Sequence, residues 1–104
     1  MNRNQHPKHM QNLRISEAVL EKLKAKHNVM RREVEQCFEN KCGLLLMDDR
    51  EEHRTDPPTL WFVAPTNAGR LLKIIFIFRD GLVHLRSAYD ASAEIQRLYE
   101  TQAR

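Results

Sequence analysis

The dipeptide Asp80-Gly81 constrains this chain more than any other pair of residues. It separates two apolar-rich runs, Arg70 to Arg79 and Leu82 to Tyr89. Asp-Gly accepts positive φ at both central positions of a type I′ turn, whose twist matches that of two antiparallel strands. The spacing therefore predicts a tight hairpin of set register. Phe78 then faces Val83, Phe76 faces Leu85, Ile74 faces Ser87 and Leu72 faces Tyr89. On the opposite side Arg79 meets Leu82, Ile77 meets His84, Ile75 meets Arg86 and Lys73 meets Ala88. Strand side chains alternate, so the two sets cannot mix without a bulge. The first set is almost wholly apolar and is expected to carry the helices.

The remaining elements follow from periodicity and caps. Leu44 to Met47 and Thr59 to Pro65 read as two further strands. If Thr66 to Gly69 is a four-residue loop, Pro65 pairs with Arg70. Trp61 and Val63 then join the helix-bearing face, while Leu60 and Phe62 lie beside Ile75 and Lys73. Ser16 is an N-cap with Glu17 in the first turn, and its helix carries Ala18, Val19, Leu20 and Leu23 inward and ends near His27-Asn28. Arg31 to Phe38 is a second helix with Val34, Cys37 and Phe38 inward, stopped by Asn40 or Gly43 in a left-handed conformation. Asp90 or Ser92 caps a final helix that turns Ile95, Leu98 and Tyr99 inward. The expected class is α+β, with two N-terminal helices, a four-stranded mostly antiparallel sheet and a C-terminal helix. Residues 1–13 are polar and aperiodic and read as a disordered leader; residues 14–104 read as a single domain.

Charge and composition narrow the function classes. The net charge is +3 and is unevenly spread: residues 1–16 carry +3 without an acid, residues 17–56 carry −2 and residues 57–104 carry +2. A basic tail and a basic C-terminal half suit nucleic acid or an acidic partner. The longest apolar run, Leu71 to Phe78, is broken by Lys73 and falls far short of the ~20 residues that span a bilayer. No export signal is evident, so a cytoplasmic protein with no membrane association is expected, with Cys37 and Cys42 as reduced thiols. The acidic run Asp48, Asp49, Glu51, Glu52 and Asp56 lacks the spacing of a calcium loop, and no histidine pair has zinc spacing, so neither metal nor cofactor is expected.

The sheet face opposite the helices combines Lys73, Arg79, His84 and Arg86 with Leu60, Phe62, Ile75 and Ile77. A solvated face would not hold so many large apolar residues, and a buried one would not hold several cations. Such a mixture fits a partly covered cleft for an anion or a protein partner, seated on Leu60, Phe62, Ile75 and Ile77. Equally, it fits a face covered by the tail or by self-association, with Lys and Arg snorkelling at the rim.

From Leu23 to Tyr99 the chain resembles the BrnT-type toxins of bacterial type II toxin–antitoxin modules. The likeness is carried by Lys26-His27-x-Val29, Glu33-Val34, Asp49-Arg50-Glu51-Glu52-His53, Gly69-Arg70-Leu71-Leu72, Arg79-Asp80-Gly81, Ser87-Ala88 and Arg97-Leu98-Tyr99. The resemblance implies a RelE-like fold, a metal-independent ribonuclease that slows translation, and a cognate DNA-binding antitoxin that covers the toxin. The chain departs from the family pattern at Tyr89-Asp90, where many relatives carry basic residues, and at Phe76, where a polar residue is common.

Metal-free RNA cleavage needs a base for the 2′-hydroxyl proton, an acid for the leaving 5′-oxygen and cations for the phosphorane charge. Arg79 and Arg86 are the candidates for charge, His84 and His53 for proton transfer, and Tyr89 for stacking or proton donation. Lys26, His27, Arg50, Arg70 and Lys73 are the candidates for holding RNA. Each has a purely structural alternative. His27 answers a helix dipole, His84 and His53 answer neighbouring carboxylates, and Arg79 pairs with Asp80 or a loop acid. A second reading of the whole chain is a non-catalytic, toxin-like binding module for a protein or nucleic acid.

Overall fold

The computed structural model describes residues 10–48 and 55–103. The elements are β1 (Leu13–Arg14), α1 (Glu17–Lys22), a π-helical turn continuing it (Leu23–His27), α2 (Arg31–Asn40), β2 (Leu46–Met47), β3 (Thr59–Pro65), β4 (Leu71–Arg79), β5 (Leu82–Asp90) and α3 (Ala93–Gln102). Among the described residues the strands form a five-stranded mixed sheet in the order β1-β5-β4-β3-β2. The α+β class is as expected, but the sheet has one strand more than the four expected, and a strand precedes the helices. That strand is β1, which pairs in parallel with β5 through Leu13–Val83 and Arg14–His84. Residues 10–13, assigned from sequence to the leader, include Leu13 at 1% exposure and Met10 packed against the core. No helix of the described residues is long and apolar enough to cross a membrane.

Local signals held where the chemistry is local. Asp80 and Gly81 adopt φ of 54° and 78°, forming the tight β4–β5 turn. Ser16 accepts the Val19 N–H at 3.2 Å, and Ser92, rather than Asp90, accepts that of Ile95 at 3.1 Å. The first helical segment ends on Asn28 at φ 54°, with Val29 N–H closing onto the Leu23 carbonyl at 3.0 Å. Neither Asn40 nor Gly43 supplies the left-handed stop expected for α2; the chain leaves through an extended Lys41. Both cysteines are free, and burial followed by the nearby Glu33 carboxylate pushes the Cys37 thiol up to about 12.

The two registers that were expected are both displaced by one residue, the β3–β4 register over its whole length and the β4–β5 register over part of it. Between β3 and β4, Leu60 pairs with Phe76, Trp61 with Ile75, Phe62 with Ile74 and Val63 with Lys73. The cause lies in the loop. Thr66 N–H donates to the Arg70 carbonyl at 2.8 Å, and Arg70 N–H donates to the Thr66 hydroxyl at 3.1 Å. Closing the loop on Thr66 and Arg70 leaves an odd number of residues in it, with Gly69 at φ 90°, and an odd loop inverts every side chain of β3 relative to an even one. Phe62 and Leu60 therefore face the helices, and Trp61 and Val63 face away, the reverse of the expectation. Phe62 is fully buried, with Phe38 of α2 edge-on to it at 4.9 Å and to Phe76 at 5.2 Å.

On the far face α3 covers β3. Tyr99 lies 5.7 Å from Trp61, and its hydroxyl donates to the Leu44 carbonyl at 2.8 Å. Leu44 N–H also donates to the Ala103 carbonyl at 3.0 Å. The backbone around Leu44 is thus tied to the end of α3, which is why the second strand shrinks from Leu44–Met47 to Leu46–Met47. Leu98, expected inward, is 40% exposed. Gly43 is pressed against the Tyr99 ring: a Cβ there would lie 2.6 Å from the Tyr99 oxygen and 3.0 Å from two ring carbons. The ring is buried and rigid, so Gly43→Ala is expected to lower stability by about 1–3 kcal/mol in urea denaturation, through displacement of α3.

Candidate functional site

The second register change occurs inside the β4–β5 hairpin and decides what one face of the sheet displays. From the turn, Arg79 pairs with Leu82, Phe78 with Val83, Ile77 with His84 and Phe76 with Leu85, as expected. Ile75 then pairs with Ser87, Ile74 with Ala88, Lys73 with Tyr89 and Leu72 with Asp90. Arg86 is the extra residue of a β-bulge. Beyond it the alternation of β5 shifts by one, so that Ala88 enters the core and Ser87 and Tyr89 turn to the face that already holds His84. The expected pairs Ile74–Ser87, Leu72–Tyr89, Ile75–Arg86 and Lys73–Ala88 do not form. Without the bulge Tyr89 would lie among the core residues.

One face therefore carries Arg14, Arg79, His84, Arg86, Lys73 and Tyr89. Arg14 is the register partner of His84, and Arg79 stands one pair further toward the turn, diagonal to it. Diagonal neighbours on one face are about 7–8 Å apart, within reach of a single phosphate for long side chains. The side chains of Arg79, His84 and Arg86 have no hydrogen-bonding or ionic partner among the described residues. From Arg79 to Lys73 the strand advances six residues, roughly 20 Å at the usual rise of about 3.3 Å. Arg79 and Tyr89 thus cannot grip one phosphate; they mark the two ends of a track.

At the far end of the track Lys73 is only 8% exposed. Its Nζ lies 4.5 Å from the Trp61 ring centroid and 6.0 Å from that of Tyr89. A cleft of about 260 Å³ opens beside it toward α3, with Asp48, Trp61 and Ile95 in its wall. The Tyr89 ring also lies 5.4 Å from that of His27, tilted by 44°. Lys26, one residue earlier, is exposed.

Arg70 is differently placed from the other cations. Its Nε and one terminal nitrogen donate to the two Asp90 carboxylate oxygens at 2.7 and 3.2 Å. The remaining hydrogens reach the carbonyls of His27 at 2.9 Å and Asn28 at 2.8 Å, and the Glu33 carboxylate at 3.3 Å. Glu33 in turn accepts the Met30 N–H at 3.0 Å, capping α2. All five guanidinium hydrogens are engaged, and two carboxylates flank one cation, so an incoming phosphate would meet excess negative charge there.

The Arg70 hydrogen bond holds the Asp90 carboxyl below its usual range, with the Arg70 and His27 charges adding to the effect. A carboxyl with a depressed folded value adds stability above its unfolded value near 3.8, and that stability is lost as pH falls through the folded value. Urea midpoints are therefore expected to separate wild type from Asp90→Asn at pH 7. The gap should close on acidification below the ordinary carboxylate range. Because the Asp90 side chain is 68% exposed, the gap is expected to be small.

Of the four residues proposed to seat a partner, Ile75 and Ile77 lie on the cationic face, while Leu60 and Phe62 lie on the opposite one. They do not form one patch. His53 and Arg50 lie outside the described residues. Sequence reasoning placed Trp61 in the wrong layer and did not pair Arg70 with Asp90 and Glu33. The composition Gly69-Arg70 carries no local sign of partners 20 residues ahead and 37 behind. No family model matches the chain, and no curated protein matches it.

Proposed function

We propose that the chain is a metal-independent endoribonuclease of the toxin type, with a RelE-like fold, that cleaves RNA in the cytoplasm and is restrained by a cognate DNA-binding antitoxin. The observation that best supports this reading is the bulge at Arg86. It turns Tyr89 onto the face holding Arg79, His84, Arg86 and Lys73, giving a basic track with an aromatic end, the combination that single-stranded nucleic acid uses. The resemblance to BrnT-type toxins points the same way. Bulges recur beside active sites because they re-aim side chains of the bulged strand.

His84 is the candidate base. It removes the 2′-hydroxyl proton, the 2′-oxygen attacks phosphorus, and the bond to the 5′-oxygen breaks as that oxygen takes up a proton from water. The products are a 2′,3′-cyclic phosphate and a 5′-hydroxyl. Arg79 and Arg86, flanking His84, neutralise the phosphorane, and their planar forks suit two phosphate oxygens at once. Tyr89 stacks on a base downstream of the cut, beside Lys73, with His27 next to it. Arg70 has no spare donor for RNA.

The test is incubation of the purified chain with single-stranded RNA in the presence of a chelator. Fragments ending in 2′,3′-cyclic phosphate are the expected result. RNA that is bound and left intact would leave the non-catalytic binding module as the account of this surface.

A further inference from the structure

We infer that Arg70 is a positioning residue for RNA recognition: it locks the His27 and Tyr89 rings into one stacking platform and does not itself touch RNA. The inference rests on the ribonucleolytic reading of the same face. Three separate segments converge on this guanidinium. The carbonyls of His27 and Asn28 fix the end of the π-helical turn, Glu33 fixes the start of α2, and Asp90 fixes the end of β5. His27 and Tyr89 are, respectively, a residue whose own carbonyl Arg70 holds and the neighbour of the carboxylate it grips. Their rings meet at 5.4 Å although they belong to elements 62 positions apart in the chain. Arg70 holds the His27 and Asn28 carbonyls on one side and the Asp90 carboxylate at the end of β5 on the other. The platform's geometry therefore depends on a group with no charge left to offer a phosphate.

The experiment measures binding of the full chain to a fluorescein-labelled single-stranded oligonucleotide with 2′-O-methyl riboses, which cannot be cleaved, over a range of salt concentrations. Arg70→Gln is expected to weaken binding about tenfold, the loss of one stacked base, with the slope of log K against log salt unchanged. In a Tyr89→Ala background the same substitution is expected to cost little, because the platform is already gone. Asp90→Ala releases one arm from an exposed carboxylate and should give a smaller loss of the same pattern should Arg70→Gln fail to fold. A slope lowered by about one phosphate contact would overturn the inference, since Arg70 would then be touching the backbone. Unchanged affinity in the folded Arg70→Gln and Asp90→Ala proteins would overturn it too, leaving a role in stability alone. A wild-type chain that binds no RNA would overturn the ribonucleolytic reading and the inference together, and shows itself before any substitution is made.

Discussion

Arg86→Ala is expected to lower kcat/KM for RNA cleavage about 100- to 1,000-fold while leaving the protein folded. Arg86 is exposed and has no described hydrogen-bonding or ionic partner, so its removal takes nothing from the packed structure. Its position at the bulge sets it between His84, two residues before, and Tyr89, three residues after. In the transition state the phosphoryl group gains charge that Arg86 offsets together with Arg79. Arg86→Lys should recover part of the loss, since a lysine keeps the charge but not the fork that meets two oxygens. A binding module would respond differently. Its affinity would fall modestly, and its salt dependence would drop by about one contact. Single-turnover kinetics beside equilibrium binding separates the two outcomes.

Phe62→Ala is expected to cost about 3–5 kcal/mol in urea denaturation. Phe62 is fully buried, lies edge-on to Phe38 at 4.9 Å and to Phe76 at 6.2 Å, and pairs with Ile74 in the centre of the sheet. Removing the ring opens a cavity between α2 and the sheet that rigid strands cannot close. The prediction bears directly on register. Had the loop between β3 and β4 contained an even number of residues, Phe62 would lie on the cationic face, and its loss would weaken a partner rather than the fold. Trp61 provides the contrast: it occupies that face, but there it supports Lys73 and Tyr99 and is no docking surface.

Features set by neighbouring residues were legible in the sequence. Asp80-Gly81 specifies its turn, Ser16 and Ser92 cap their helices, and Asn28 ends one, because in each case the bond closes within a few residues. What was not legible depends on partners distant in the chain. The Thr66 hydroxyl competes for the Arg70 N–H and changes the parity of a loop. One extra residue at Arg86 changes the parity of β5. Alternation is a two-state signal, so each single-residue slip inverts a whole face while leaving its composition plausible. β1 leaves no signal in the sequence because two residues are too few to show any period, and Leu13 lies beside a polar run. Arg79 and His84 share a face as expected, since the register nearest the turn survives, and Arg86 precedes the change of parity. Tyr89 lies beyond that change, which turns it from the expected core face to theirs.

This basic, aromatic-ended sheet face is expected to cleave RNA in cells. This is tested most directly by tightly controlled induction of the intact chain, followed by mapping of RNA 5′ ends. Growth arrest and new 5′-hydroxyl ends are the expected result, both abolished by Arg86→Ala at equal soluble expression. Normal growth and an unchanged map of ends, with the wild-type chain abundant and folded, would contradict it.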